Sequence, residues 1–408
     1  MPRRILYLSQ WFWPEPATRG LKVVKDLQAR GYEVEVLTGF PNYPSGKLAQ
    51  GYRLAPYKRD RIEGVTVHRV FLYPSHDRSS LGRALNYLSF FLSAFVFCLV
   101  QARRFDLIYV YHPPITTGLA AALAGLVWRK PFLLEVQDLW PDTVAASGMS
   151  ATETLAYILG PTCRFVYKRA ALVLGQSEGM AARLVERGVD PSRADVFFNW
   201  ADEDAARVNG LYDLASLNFK GRFNFVFAGN MGTVQALEVL IEAAHSLAKI
   251  APQIQLTLIG EGAERARLET LVRQQGVRNV QILPGVPPSH IGDVLAAADV
   301  QVVHLKDDPL FEITIPSKTQ FYLAMGRPVL IGVRGEAARI VTEAGAGIST
   351  PPENSAAMAE AMLHLANLPR IELQAMGARA RAAYDSRFAF KATMDRIAGH
   401  VGAVLEKA

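Results

Sequence analysis

The sequence predicts an α/β protein of two domains, each built on a parallel sheet with helical crossovers. Three observations carry this. Short β-rich runs alternate with helix-length segments along all 408 residues. Several runs are apolar without alternation, as strands covered by helices on both faces should be. At roughly 100–200 residues per domain, the length suits two cores.

In the first half the predicted strands are Ile5–Ser9, Glu33–Thr38, Val65–Val70, Leu107–Tyr111, Phe132–Val136, Leu172–Gly175 and Asp195–Phe198. In the second half they are Phe223–Ala228, Ile254–Ile259, Val280–Leu283, Val300–Leu305 and Pro328–Val333. Alternation of this kind implies right-handed crossovers. The break falls near Asn199–Lys220, where Asn199-Trp200-Ala201-Asp202 follows a strand and a polar stretch precedes a fresh one at Phe223. The expected domains are residues 1–203 and 204–386, with a C-terminal helix over 387–408 returning to the first.

Half the residues are hydrophobic and a fifth charged, which excludes disordered, collagen-like and disulfide-scaffold chains. Cys98 and Cys163 are too few for a cysteine-based zinc site. The apolar run Ile5-Leu6-Tyr7-Leu8 ends at Gln10 and Pro14, so no secretory signal and a cytoplasmic location are expected. The net charge of +6 is uneven: residues 1–130 hold 18 Lys/Arg and 8 Asp/Glu, a balance of +10 that leaves −4 for the rest. No RNP-like motif or Lys-rich helix accompanies that excess, and no nucleic-acid partner is expected.

Ala84–Ala102 is uncharged and rich in Phe and Leu. It reads as a crossover helix buried in the core, as an interfacial helix flanked by Arg78, Arg83, Arg103 and Arg104, or, least favoured, as a span.

The chemistry-bearing motifs follow predicted strands. Gly229-Asn230-Met231-Gly232 leads from a strand into a helix, a turn that presents backbone N–H groups to a phosphate but also occurs without ligands. In Gly260-Glu261-Gly262-Ala263-Glu264, Glu261 either accepts from a base or ribose hydroxyl or, with Glu264, favours the helix dipole. In Phe311–Tyr322, Pro316 suits a helix start, Ser317 supplies a hydroxyl and Lys318 a full charge. That set suits a diphosphate gaining negative charge as it leaves. The helix should stop at Gly326, before Pro328.

In the first half, Asp138 follows a strand at the carboxyl edge, where open α/β sheets bind ligands. It reads as a base or hydroxyl ligand, or as a cap on the turn Leu139–Thr143. His112 ends another strand and reads as catalytic or as structural. Glu15, Thr18 and Arg19 after the first strand, and Asn42, Tyr43 and Lys47 after the second, are candidates for the acceptor side or ordinary loop residues.

Together these motifs, with Trp13-Pro14-Glu15-Pro16, Thr38–Lys47, Glu135–Asp142, Ala296–Val300 and Ala324–Val329, resemble the family 4 glycosyltransferases. They are similar to the bacterial fucosyl- and N-acetylfucosaminyl-type transferases of O-antigen, capsule and colanic acid assembly. The resemblance implies a GT-B fold: two Rossmann-like parallel-sheet domains facing across a cleft, with nucleotide sugar on the second and acceptor on the first. It implies a retaining, metal-independent transferase without a cofactor. Such an enzyme moves a sugar, an N-acetylated deoxyhexosamine by analogy, from a UDP-linked donor to a polyprenyl-diphosphate-linked saccharide. The inner face of the cytoplasmic membrane is the expected place, with a membrane surface met through residues 84–104. Carried onto this sequence, the resemblance makes Asp138, Glu312, Lys318 and His112 the catalytic candidates. Gly229, Asn230, Gly232, Gly260, Glu261, Ser317 and Gln320 become donor-binding candidates, and Glu15, Arg19, Asn42 and Tyr43 acceptor-side ones.

Two departures stand out. The family pairs two glutamates eight positions apart. Glu312 matches the first, but Gln320 stands at that spacing, while counting back from Gly326 gives Phe321; ribose contact is reassigned to Gln320. Asn230 and Gln235 stand where the family has an Arg and a Lys, leaving the diphosphate to Lys318 and backbone amides, with Arg334 as a helper. A nucleotide-sugar 2-epimerase on the same fold would show a denser set of acids and histidines, and a two-lobed solute-binding protein a secretion signal.

Overall fold

A computed structural model describes residues 2–15, 19–75, 80–140 and 153–407. Thr18, Arg78 and the 141–143 part of the predicted turn lie outside the described residues.

The chain forms two compact units, Met1–Phe197 with Met394–Ala408, and Phe198–Thr393. The expected limits at 203/204 and 386/387 therefore move, because residues 198–203 and 387–393 pack on each other. The Phe198 ring meets Phe388 edge-on at 5.0 Å, and Trp200 meets Phe390 at 5.1 Å. The Glu203 carboxylate accepts from the Tyr384 hydroxyl at 2.9 Å and the Phe390 amide at 2.8 Å.

The described residues of the first unit form an eight-stranded sheet of β1 (Arg4–Leu8), β2 (Glu33–Gly39), β3 (Tyr57–Ile62), β4 (Val65–Val70), β5 (Leu107–His112), β6 (Phe132–Val136), β7 (Leu172–Gly175) and β8 (Ala194–Val196). The order is β3-β4-β2-β1-β5-β6-β7-β8, parallel except for β3 against β4. β6 is buried at all five positions, which explains why Phe132–Val136 carries no polar alternation. Register places Leu8 beside Leu37 on one side and Val110 on the other, so the carboxyl ends of β1, β2 and β5 align.

Strand β3 was not expected. Its sequence, Tyr-Lys-Arg-Asp-Arg-Ile, is mostly charged and mostly exposed. It forms because Glu63 and Gly64 both take positive φ, 46° and 87°, the geometry of a tight two-residue hairpin.

In the second unit the described strands are β9 (Phe223–Ala228), β10 (Ile254–Ile259), β11 (Val280–Leu283), β12 (Val300–His304), β13 (Val329–Gly332) and the unexpected three-residue β14 (Gly347–Ser349), in the order β11-β10-β9-β12-β13-β14, all parallel. Its core sets Phe225, Phe227, Leu256 and Val302 against Leu240, Met358 and Met362 from the flanking helices.

Gly260, at φ +149°, lies so close to the neighbouring loop that a Cβ would fall 1.9 Å from the Gly229 carbonyl oxygen. Gly260→Ala should therefore destabilise the fold by about 2 kcal/mol or more. Gly399, within the helix Phe390–Glu406 with open space around it, should give about 0.5–1 kcal/mol of stabilisation when changed to Ala. Thermal melts of the two variants check this, and equal effects would contradict it.

Candidate active site

In the second sheet the strand order reverses between β9 and β12, the place where open α/β sheets bind ligands. A cavity of about 750 Å³ opens there. Six residues expected on the donor side line it together: Gly229, Asn230, Gly260, Glu261, Ser317 and Lys318. The loops bearing them are tied by their backbones. Gly229 N–H donates to Ile259 O and Met231 N–H to Glu261 O, both at 2.8 Å. Tyr322 Oη accepts from Ala228 N–H at 2.9 Å and fixes the end of β9.

Lys318 is the electrostatic centre of this cavity. Its ammonium stands 4.7 Å from the centroid of the Phe227 ring, and its stem lies so near Gly229 that a Cβ there would be 2.5 Å from Cε. Burial pushes its pKa down to about 8, with no neighbouring charge opposing that shift. The helix Ser317–Met325 starts here behind Pro316, without a side-chain cap, so its first-turn amides face the same region. It ends at Gly326, whose φ of +65° makes the left-handed cap.

Other expected residues sit elsewhere. Gly232 does not line the cavity, and its N–H donates to Gln235 Oε1 at 2.9 Å. Gln320 is buried and off the cavity wall, its Oε1 without a partner among the described residues; Phe321 takes the wall position instead. The ribose contact expected of Gln320 therefore has no wall position in this cavity, since helical geometry turns adjacent residues to different faces. Glu312 is exposed in the short helix Pro309–Glu312 and is not part of the wall. Arg334 pairs with Asp307 at 2.9 Å. Glu261 accepts from Arg265 at 2.5 Å and from the Gly285 amide at 3.2 Å; the amide first, then Arg265, hold its carboxyl below the usual range. The far end of the cavity is apolar, with Val286, Pro288, Ile291 and Leu295, which no sequence motif announced.

In the first unit the strand order reverses between β1 and β5. His112, at the end of β5, is fully buried, and neither ring nitrogen has a partner among the described residues. Burial drives its pKa down to about 3, which favours the neutral ring. Asp138 follows β6, and burial alone raises its carboxyl pKa. Glu15 is not available to an acceptor: its buried carboxylate accepts from the amides of Phe12 (2.9 Å), Asn42 (2.8 Å) and Tyr43 (2.9 Å) and so fastens two loops. Asn42 is buried too, donating to Phe40 O at 2.9 Å. Arg19 lies 3.5 Å from Gln137 Oε1, and its charge offsets part of the cost of burying Glu135. Missed by the motifs is a row of aromatic rings with centroids 5.3–6.4 Å apart, Tyr43, Trp11, Tyr87, Trp140 and His112.

Two Rossmann-like parallel-sheet units with a cationic, glycine-walled cavity on the second define the GT-B class of fold. Residues 16–200 match the Glycosyl transferase 4-like domain, and residues 222–367 match the Glycosyl transferases group 1 family. The chain thus carries a Glycosyl transferase 4-like domain in its first half and a group 1 domain in its second, and it is a glycosyltransferase. WcaI of Escherichia coli (strain K12), named for colanic acid biosynthesis glycosyl transfer, is 29% identical over 76% of this chain and 77% of its own. WbjE of Pseudomonas aeruginosa, named as a glycosyltransferase, is 25% identical over 92% of this chain and 95% of its own. Among solved structures, Anabaena HepE in complex with UDP has a TM-score of 0.71 at 18% identity, covering 98% of this chain and 100% of HepE. A sucrose-phosphate synthase from Thermosynechococcus elongatus has a TM-score of 0.69 at 17% identity, with both chains wholly covered.

A lysine whose pKa is depressed by burial destabilises the folded state while it is charged. That cost is full below about pH 8, shrinks as pH rises toward the unfolded value near 10.5, and is absent above it. Lys318→Met should therefore raise the melting temperature of the ligand-free protein at pH 7, by up to about 3 kcal/mol in stability. The gain should disappear in melts above about pH 10.5. A Lys318→Met protein less stable than wild type at pH 7 would contradict this placement.

Proposed function

We propose that this glycosyltransferase moves a sugar from a UDP-linked donor to a lipid-linked saccharide in bacterial surface polysaccharide synthesis, with retention of anomeric configuration. One observation carries the donor half: the half-buried Lys318 at the cationic end of a cavity whose other end is apolar. A nucleoside diphosphate matches that gradient, its base at Val286–Leu295 and its phosphates at Gly229, Ser317 and Lys318. The UDP complex of HepE and the naming of WcaI for colanic acid biosynthesis support the same reading.

In the proposed step the bond between the sugar C1 and the β-phosphate oxygen breaks, and the departing diphosphate gains negative charge. Lys318 and the first-turn amides stabilise that charge without any requirement for a metal. The acceptor hydroxyl forms the new bond to C1 from the same face, and its proton passes to the departing phosphate. Asp138 and neutral His112 hold the acceptor hydroxyls, and the aromatic row from Tyr43 to Trp140 offers ring faces to sugar or isoprenoid carbons.

The helix Ser80–Gln101 supports a membrane surface as the place of action. Phe90, Ala94 and Cys98 are fully buried against the unit. Leu81, Leu85, Leu88, Leu92, Val96 and Val100, at helical spacing, are 42–70% exposed. The helix is thus neither wholly core nor free of the fold, as a stripe lying in a lipid interface requires.

Thermal shift across nucleotides tests the donor. UDP and UDP-sugars should stabilise wild type by about 2.7 kcal/mol at a hundred times Kd, and Lys318→Ala should abolish the shift. No response to any nucleoside diphosphate would refute the donor assignment. Asp138→Asn should lower turnover about 100-fold with UDP affinity unchanged, and should remove the rise of activity with pH through the raised Asp138 pKa. An unaltered pH profile in that variant would remove Asp138 from the reaction.

A further inference from the structure

The exposed stripe of helix Ser80–Gln101 borders a second cavity, of about 580 Å³, which shares no lining residue with the first. The helix starts at the carboxyl edge of the sheet, where Asn86 bonds Gln10 and Tyr73 O, and runs toward the opposite edge. There Leu92, Val96 and Val100 turn from stripe into cavity wall, so the stripe and the cavity are one continuous apolar surface. Across from the helix is Tyr57 of β3, on whose ring Phe97 of the same helix stacks at 6.3 Å. Arg59 and Arg104 line the same cavity. Arg59 is exposed and has no carboxylate partner among the described residues; Arg104 donates to Gln101 at 2.8 Å. Glu35, the lone carboxylate on the described wall, is held by His68 at 2.7 Å and Arg4 at 2.9 Å, and together with the weaker pull of Arg104 these keep its pKa at about 2. The site therefore offers a chain-width apolar slot with net positive charge at its rim, on the part of the chain that carries the +10 excess.

We propose that this groove binds an anionic phospholipid of the bilayer, one acyl chain lying along Tyr57, Leu92, Val96 and Val100 and the phosphate meeting Arg59 and Arg104. The proposal rests on the membrane reading above and makes it specific. A neutral interface would satisfy the stripe but not the two arginines; charge complementarity selects an anionic headgroup. The groove is separate from the donor cavity, so its occupancy anchors the enzyme without competing with UDP.

The test uses the full chain and vesicles of phosphatidylcholine, alone or mixed with phosphatidylglycerol. Wild type should float with the mixed vesicles more than with the neutral ones. The double variant Arg59→Glu/Arg104→Glu should bind mixed vesicles at least about tenfold more weakly, with its melting temperature and UDP shift unchanged. Val96→Trp, which fills the slot while keeping the stripe apolar, should still float. In native mass spectra after detergent extraction it should lose the one phospholipid that wild type retains. Flotation of the double-arginine variant equal to wild type, or no lipid retained by wild type, overturns the groove while leaving the membrane reading intact. Wild type that floats with neither vesicle overturns both, and a dimer that closes the groove and excludes lipid overturns the proposal too.

Discussion

A half-buried cation with no carboxylate beside it among the described residues is the constraint around which the second unit is organised. Removing an ammonium from water costs several kcal/mol unless something returns the lost solvation. Phe227 returns a little through its ring face, and the shifted Lys318 pKa shows that the return is incomplete. Every nearby feature preserves the deficit. Gly229 makes room for the lysine stem, and Gly260 lets the next loop close against Gly229. Tyr322 pins the end of β9, and the uncapped helix at Ser317 adds positive partial charge where an acidic cap would have cancelled it. While it is charged, a lysine held this way costs the fold stability.

The first unit solves a different problem, that of holding three loops still at one sheet edge. It does so with buried polar groups. Glu15 gathers the amides of Phe12, Asn42 and Tyr43, and Arg69, wholly buried, binds Asp60, the Gly39 carbonyl and the Trp13 carbonyl. Asn86 joins the long apolar helix to Gln10 and Tyr73. Each of these groups is satisfied inward, whereas the ring nitrogens of His112 have no partner among the described residues.

The strands and the helix carrying Lys318 were legible because their signals are local. Unbroken apolar runs gave the parallel core, and Pro316 and Gly326 marked both ends of the helix carrying Lys318. Strand β3 was hidden by its charges, because an edge strand against β4 needs only one buried face and a hairpin turn. Gln320 and Phe321 differ by one residue, a step of 100° on a helix, and the eightfold spacing from Glu312 crosses an irregular segment that does not preserve helical phase. Glu15 carried an acid where an acceptor site was expected, yet its three amide partners come from loops 3 and 27–28 residues away, a closure that no linear motif encodes. The apolar end of the donor cavity likewise gathers residues from the 200–205 segment and the helix Pro288–Ala297.

The most direct measurement is the titration of the Lys318 ε-methylene by NMR, free and with UDP. The account predicts a pKa near 8 in the free protein and a rise of more than about one unit when UDP is bound, because the diphosphate favours the charged form. A free value at the ordinary lysine figure of about 10.4, or a low value indifferent to UDP, would contradict it.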